Sequence, residues 1–432
     1  MNLLSRYFGF DVHKTTFKRE IYAGLTTFLT MAYIIFVNPN ILSEAGMDKG
    51  AVFAATCLAS ALGCFIMGGL ARLPVALAPG MGLNAFFTYG VVLGMGKSWE
   101  VALGAVFLSG VIFIFISLFK IREWVINAIP DTLKLGIVAG IGAFLAFIAL
   151  KNAEIIVANP ATFVALGDLT AFGPFMAIVS FFLIVVFIQR NVPGAVILAI
   201  LAVTVIALIF GHTSYSGIVS APPSIAPTFM KLDIMGALDV GMISVIFAFL
   251  FVDLFDTSGT LIGVTKKAGL MTEDGKIPNM GKALMADSAA TVAGTMLGTS
   301  SVTSFVESTA GVAVGGRTGF VAITVGVLFL VALFFAPLAG MIPAYATAGA
   351  IFYVSVLMLF TLRDVNWDDL TEAAPVAVVL LLTPLSFSIA HGIALGFITY
   401  TIAKVLSGRY KEVNVAVWIL TVVLLAKLVF LG

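Results

Sequence analysis

Asp253 and Asp256 stand three residues apart in Phe251-Val252-Asp253-Leu254-Phe255-Asp256-Thr257-Ser258-Gly259-Thr260, a stretch otherwise fit for lipid. With Thr257 and Thr260 they follow the spacing i, i+3, i+4, i+7, which puts every polar group on one stripe of a helix. Asp287, in Ala286-Asp287-Ser288, and Glu307, in Ser304-Phe305-Val306-Glu307, are further carboxyls in apolar surroundings. An ionisable group at bilayer depth is costly and marks a substrate or ion path. Carboxylates so placed can accept hydrogen bonds from a ligand, hold a cation or carry a proton. The plainer alternative is a hydrogen-bonded seam between helices, for which Thr and Ser would suffice. Two aspartates exceed what a seam needs.

Glu307 has two readings. Ser304-Phe305-Val306-Glu307 fits the S-x-x-E capping box, in which the Glu reaches back to the Ser amide. At mid-membrane, where a helix restarts, the same carboxyl sits at a helix end that favours negative charge and is placed to bind or to couple. Asp287 has small neighbours, and structural pairing with the other carboxyls competes with a proton-coupling role. Asn84 offers a donor and an acceptor beside Leu83. Phe305 can stack on a ligand ring or simply fill space.

These groups need helices across a bilayer to hold them. Of 432 residues, 61% are hydrophobic and 10% charged, and mean hydropathy is +1.13. That leaves too little polar surface for a soluble chain of this length. Continuous apolar runs long enough to cross about 30 Å of hydrocarbon recur throughout, which excludes a β-barrel with its short alternating segments. The expected class is an all-α polytopic membrane protein. Candidate spans lie near 21–42, 51–71, 74–94, 99–120, 130–150, 171–189 and 193–211, then, after a Pro-rich connector at 212–235, near 236–264, 281–297, 302–316, 319–340, 343–361, 374–390 and 391–407. The apolar stretch 413–431 is either a fifteenth crossing or an interfacial helix.

Lys14, Lys18, Arg19, Arg72, Lys120, Arg122, Arg190, Lys266, Lys267 and Arg363 fall on one side if the amino terminus is cytoplasmic. Seven crossings then place the second set, 236–432, upside down relative to the first, 1–235. The third span contains Pro74 and Pro79-Gly80-Met81-Gly82, and the tenth contains Gly298-Thr299-Ser300-Ser301-Val302-Thr303-Ser304. Neither runs as an unbroken helix. Matched breaks roughly 220 residues apart in two inverted halves point to a midplane site of a secondary transporter.

The remaining polar residues carry less. Cys57 and Cys64 read as small core residues rather than a redox pair. Lys266, Lys267, Glu273 and Asp274 read as a solvated loop, and Arg317 as a snorkelling end to the tenth span. No signal peptide is evident in the polar first twenty residues. His13, His212 and His391 lie far apart, and H-E-x-x-H, Walker A and G-x-S-x-G patterns are missing, so neither enzymatic chemistry nor a metal or other cofactor is expected. A net charge of +1 gives no reason to expect nucleic acid.

Taken together, the 251–261 stretch, Ala286-Asp287-Ser288, Gly298-Thr299-Ser300-Ser301, Phe305-Val306-Glu307-Ser308-Thr309-Ala310-Gly311 and Gly315-Gly316-Arg317-Thr318-Gly319 resemble the AzgA-like purine permeases of the nucleobase–ascorbate (nucleobase–cation symporter) group. Gly24-Leu25-Thr26-Thr27-Phe28-Leu29-Thr30-Met31-Ala32-Tyr33 and the 79–85 break fit as well, so the likeness covers nearly the whole chain. The resemblance implies about fourteen spans in a seven-plus-seven inverted repeat, with spans 1–4 and 8–11 forming a core and 5–7 and 12–14 a gate. It implies a homodimeric, elevator-type importer in a cell's inner membrane that carries adenine, hypoxanthine or guanine with protons. It places Asp253 and Glu307 on the purine, with Asn84, Leu83, Phe305 and Val306 beside it, and Asp256, Asp287 and Thr257 at proton-linked positions. The xanthine and uracil branches carry Asn where Ser308 stands here, which argues against those cargoes.

Other readings stay in play. Carboxylates with Thr257 and backbone carbonyls could hold sodium instead of a proton. An anion exchanger of the same fold would find Asp253 and Glu307 repelling its ligand. An intramembrane protease would want its aspartates on two helices, and a passive channel would keep uptake when the proton gradient is collapsed.

Overall fold

The computed structural model describes residues 3–118, 129–272 and 276–430. Lys120, Arg122, Glu273 and Asp274, and the end of the span placed at 99–120, lie outside the described residues. The apolar runs fold as helices in the expected order. A short α1 (Leu3–Phe8) precedes α2 (Phe17–Met31) and α3 (Ile34–Glu44), which form one bent rod. Then come α4 (Lys49–Ile66), α5 (Met81–Ala85) running into a π-helical stretch Phe86–Gly94, α6 (Trp99–Leu118), α7 (Asp131–Asn152), α8 (Phe172–Gln189) and α9 (Ala195–Ile209). The second half repeats the series with α10 (Val240–Ala268), α11 (Met280–Leu297), α12 (Ser308–Ala313), α13 (Phe320–Ala332), α14 (Ala344–Leu359), α15 (Leu370–Leu385) and α16 (Ile389–Leu406), and ends on α17 (Val415–Phe430). Among the described residues nine helices are long and apolar enough to cross a membrane, and the remainder are shorter, broken or, like α11, less apolar.

Local chemistry sets the helix ends. Thr16 caps α2 by accepting from Arg19 N, and Asp48 caps α4 by accepting from Ala51 N at 2.8 Å. Gly269 closes α10 and Gly298 closes α11, both at positive φ, where a side chain would be strained. Helices α2 and α4 pack on α13, and α6 packs on α11, giving one block; α7 packs on α14, α15 and α16, giving another. Lipid gives helices no hydrophobic reason to associate, so close contact and small residues do that work. At Gly68, an added Cβ would lie 2.4 Å from the Gly319 carbonyl oxygen.

The two breaks foreseen in the third and tenth spans meet. Strand β1 (Leu77–Pro79) and a second strand, Val302–Ser304, pair antiparallel, with Leu77 opposite Ser304 and Pro79 opposite Val302. Gly80 N donates to Ser301 O at 3.0 Å and Phe305 N to Ala76 O at 2.9 Å, extending the ribbon at both ends. Each half of the chain contributes one strand, so backbone that no helix satisfies is satisfied across the repeat. Cys64 fastens the ribbon to α4: its Sγ accepts from Leu77 N at 3.2 Å and donates to Leu77 O at 3.3 Å. Both cysteines are free and buried, as their apolar setting predicts.

Three features were not foreseen. A hairpin, Ile156–Asn159 with Phe163–Leu166, lies between α7 and α8. Arg317 does not snorkel: its Nη1 donates to Val312 O at 2.6 Å and Gly316 O at 2.7 Å, closing the end of α12. A charge cluster ties the far ends of α7, α15 and α16 to residues 407–414. In it the fully buried Lys404 Nζ lies 2.5 Å from Glu372 and 2.8 Å from Glu412. Arg409 bridges Asp369 and Glu412, and Thr132 donates to Glu372.

Candidate functional site

The site begins where the ribbon ends. Past β1 the chain enters α5, and past Ser304 it turns through Phe305, Val306 and Glu307 into α12, so two short helices start from the same crossing. An added Cβ on Gly80 would come within 2.9 Å of Thr303 Oγ1, so only glycine lets the two strands approach this closely. Helix α10 runs past the crossing with its polar stripe turned inward. Asp253, Thr257 and Thr260 are buried on it, and Asp256 is half-buried.

The four carboxyls separate into two pairs. Asp253 and Asp287 are sealed behind the second strand. The Asp287 carboxylate accepts from Thr257 Oγ1 at 2.8 Å and from Ser304 Oγ at 3.3 Å, both at Oδ1. Asp253 lies against it. Its Oδ2 is 3.5 Å from the Thr291 hydroxyl, which also donates to Val302 O at 3.0 Å. Among the described residues, Asp253 Oδ1 and Asp287 Oδ2 have no hydrogen-bond partner.

Asp256 and Glu307 form the other pair, on the open side of the ribbon and only half-buried. Asp256 lies within the field of Glu307 and within reach of the Thr303 side chain. The Glu307 Oε1 accepts from Tyr33 Oη at 2.5 Å, and the Thr30 hydroxyl is 3.4 Å from the Glu307 carbonyl. Asn84, on α5, is fully buried, and neither of its amide atoms has a partner among the described residues. Unmet polar groups at the mouth of a helix break are what a polar ligand would satisfy.

Several expectations need adjusting. The capping box does not form. Ser304 is used up by strand pairing and by Asp287, and Glu307 occupies the residue before α12 with its carboxyl turned to Tyr33. Asp253, expected beside Glu307, is turned away with Asp287, and Asp256 stands at the opening instead. Thr257 donates to Asp287. Leu83 and Phe305 are buried in the core around the site, whereas Val306 is 47% exposed at the turn. A cavity of about 50 Å³, lined by Ile35, Phe36, Pro39, Lys49, Phe53 and Ala336 among others, holds none of the four carboxyls.

The sequence reading missed Tyr33 and Glu20. Tyr33 sits at the bend between α2 and α3. Glu20, fully buried near the start of α2, accepts from Thr15 Oγ1 (2.8 Å), Arg317 N (3.0 Å), Thr318 N (3.1 Å) and Thr318 Oγ1 (2.6 Å). Between them, an added Cβ on Gly311 would lie 2.2 Å from Thr27 Oγ1. The first span therefore grips the tenth from its far end to the site. The sequence signal was that Tyr33, Glu307, Arg317 and Thr318 fall inside stretches that carry the family likeness, while Glu20 falls outside them.

The profile of the Permease family matches residues 18–399. The chain belongs to that family. Adenine permease AdeP of Escherichia coli is 49% identical over 99% of this chain and 96% of its own. Guanine/hypoxanthine permease PbuG of Bacillus subtilis is 46% identical over 99% of this chain and all of its own. The transmembrane domain of the cyanobacterial bicarbonate transporter BicA superposes with a TM-score of 0.65 over 87% of this chain and 97% of that one, at 17% identity. That likeness is one of fold, and the polytopic inverted-repeat class expected from the sequence is borne out. This family member is a multi-pass membrane permease and not an enzyme.

Proposed function

We propose that this permease imports purine nucleobases by ion symport, through an elevator-type cycle in which the block containing the site moves against the α7–α9 and α14–α16 block. The full-length likeness to adenine and guanine/hypoxanthine permeases carries the choice of cargo. The junction of α5 and α12 carries the choice of place. Asp256 and Glu307 would accept ring and exocyclic N–H groups of a flat, neutral base, and the unpartnered amide of Asn84 would supply a donor and an acceptor. Tyr33 occupies one Glu307 oxygen and leaves the other to the ligand.

The Asp253–Asp287 pair is read as the coupling site. Two carboxyls in contact with unpartnered oxygens cannot both be charged unless a cation lies between them. A shared proton meets this need, and so does a sodium ion with Thr257 and Thr291 as further ligands. Asp287 takes a hydroxyl from Ser304, within the strand that leads to Glu307, so occupancy of the coupling pair and the shape of the cradle are linked. One charge moved down about 100 mV supplies roughly 2.3 kcal/mol, enough to concentrate a neutral solute several tens-fold. The cytoplasmic amino terminus, the inner-membrane location, the fourteen-span count and a homodimeric assembly belong to this same reading.

The test is uptake of labelled hypoxanthine in cells lacking other purine carriers, competed by a panel of bases at two pH values with and without sodium. Competition by adenine or guanine, with uptake that rises on acidification and ignores sodium, is the expected result. A sodium requirement would transfer the coupling pair to that ion, and no purine uptake at all would end the reading.

A further inference from the structure

The two blocks meet at one end of the molecule through a contact that no function assigned so far explains. On one side stand Glu44, at the end of α3, and Tyr89, in the π-helical stretch five residues beyond Asn84. On the other stand Lys151 and Asn152, at the end of α7, and Phe387, in the turn between α15 and α16. Tyr89 Oη donates to Glu44 Oε1 at 2.8 Å. Asn152 Nδ2 lies within donating distance of both partners, 3.0 Å from Glu44 Oε1 and 2.6 Å from Tyr89 Oη. The Lys151 ammonium lies 5.4 Å from the centre of the Tyr89 ring and 5.7 Å from that of Phe387.

Phe387 packs into this contact. Its ring sits edge-on to Phe144 and Phe147 at 5.5 Å, and to Tyr89 at 6.3 Å. Its φ is +53°, a conformation that a bulky residue adopts only under constraint from its surroundings. The contact differs in kind from the packing within each block. Glycine-to-backbone seams such as Gly68 against Gly319 leave no room to part and nothing to gain by parting. Here Glu44 is exposed, water can replace each hydrogen bond, and departure would release the Phe387 backbone.

We propose that Glu44, Tyr89, Asn152 and Phe387 form an outer gate, closed in this conformation, which must open for the site to face outward. Glu44, Asn152 and Phe387 fall at chain positions that the orientation proposed above puts outside, so the inference rests on the transport reading. Tyr89 shares a helix with Asn84, so separating the gate moves the same rod that holds part of the cradle. The charged groups at the contact are Glu44 and Lys151, one from each block.

The test uses full-length protein with Cys57 and Cys64 replaced by Ala, and cysteines in place of Glu44 and Asn152. In the reduced form this variant takes up purine; failure here, if shared by the wild type, strikes the transport reading rather than the gate. Bridging with a short bis-methanethiosulfonate should then reduce uptake at least tenfold, reversibly with reductant, while purine binding in detergent persists and either single-cysteine variant stays unaffected. Uptake unchanged in the bridged protein would overturn the gate. Should the pair fail to accumulate, Phe387→Ala offers a second route. A cysteine at Ala149, one turn deeper on α7 and buried, should react with an impermeant maleimide several-fold faster in that background. Equal rates with and without Phe387 would overturn the proposal.

Discussion

Two carboxylates, Glu20 and Glu307, lie at opposite ends of the contact between the first and tenth spans. Glu20 accepts four hydrogen bonds from neutral donors, two of them backbone amides. Among the described residues, Glu307 accepts from one other side chain, Tyr33, at Oε1. Glu20 is fully buried and Glu307 half-buried, and the two differ further in how far their acceptors are already used. A saturated carboxylate holds structure together, whereas an unsaturated one at a helix break is free to take the ligand proposed for it.

The contrast can be broken by substitution. Glu307→Gln and Asp256→Asn should each weaken purine binding by about 3 kcal/mol, on the order of 100-fold, with little change in melting temperature. Asp253→Asn should instead keep binding and counterflow exchange while losing accumulation. Loss of binding in Asp253→Asn with retention in Asp256→Asn, followed by equilibrium dialysis, would reverse the roles given to the two aspartates. Glu20→Ala should do the opposite of Glu307→Gln. It strands two backbone N–H groups and two hydroxyls, lowering stability by about 3 kcal/mol, visible in thermal denaturation, while purine affinity in surviving protein is kept. Tyr33→Phe sharpens the comparison from within the site: losing one hydrogen bond to a charged group should raise KM about tenfold with maximal rate and abundance unchanged.

The smallest effect concerns the charge cluster outside the membrane, where carboxylates are saturated by cations. Arg409 beside Asp369 holds that carboxyl well below its usual range, and Arg409 with Lys404 pulls Glu412 down to about 2. A depressed carboxyl contributes stability above its ordinary value and loses it as pH falls through the depressed one. Hydrogen-exchange protection of 415–430 should therefore persist on acidification below about pH 4 and fade only towards the depressed values. In Arg409→Ala it should be lost already near the ordinary carboxylate range.

Much of this arrangement could be read in the residues. Apolar runs located the helices, Pro79-Gly80 and Gly298 to Ser304 located the breaks, and the cost of buried charge picked out all four carboxyls. The stripe on α10 could not say which aspartate faces the opening. Residues three apart on a helix differ by about 60° around it, and the path of Val302–Ser304 decides which side of that angle is closed. The Ser304–Glu307 spacing satisfied a capping pattern, yet pairing with Leu77 removed Ser304 from that role. Tyr33 looked like one more aromatic in an apolar run, and Glu20 like part of a polar leader. Each acquires its meaning from a partner almost 300 positions away, which no local pattern records.

The two-stranded ribbon also constrains how the protein is made. Leu77–Pro79 leaves the ribosome some 220 residues ahead of Val302–Ser304, a wait of roughly ten to forty seconds at ordinary synthesis rates. During that interval the amino-terminal half has a broken helix whose bare peptide groups face the membrane without a mate. A nascent chain released early, or a half expressed alone, would be left in that condition, a natural substrate for the insertion machinery to shelter or for quality control to destroy.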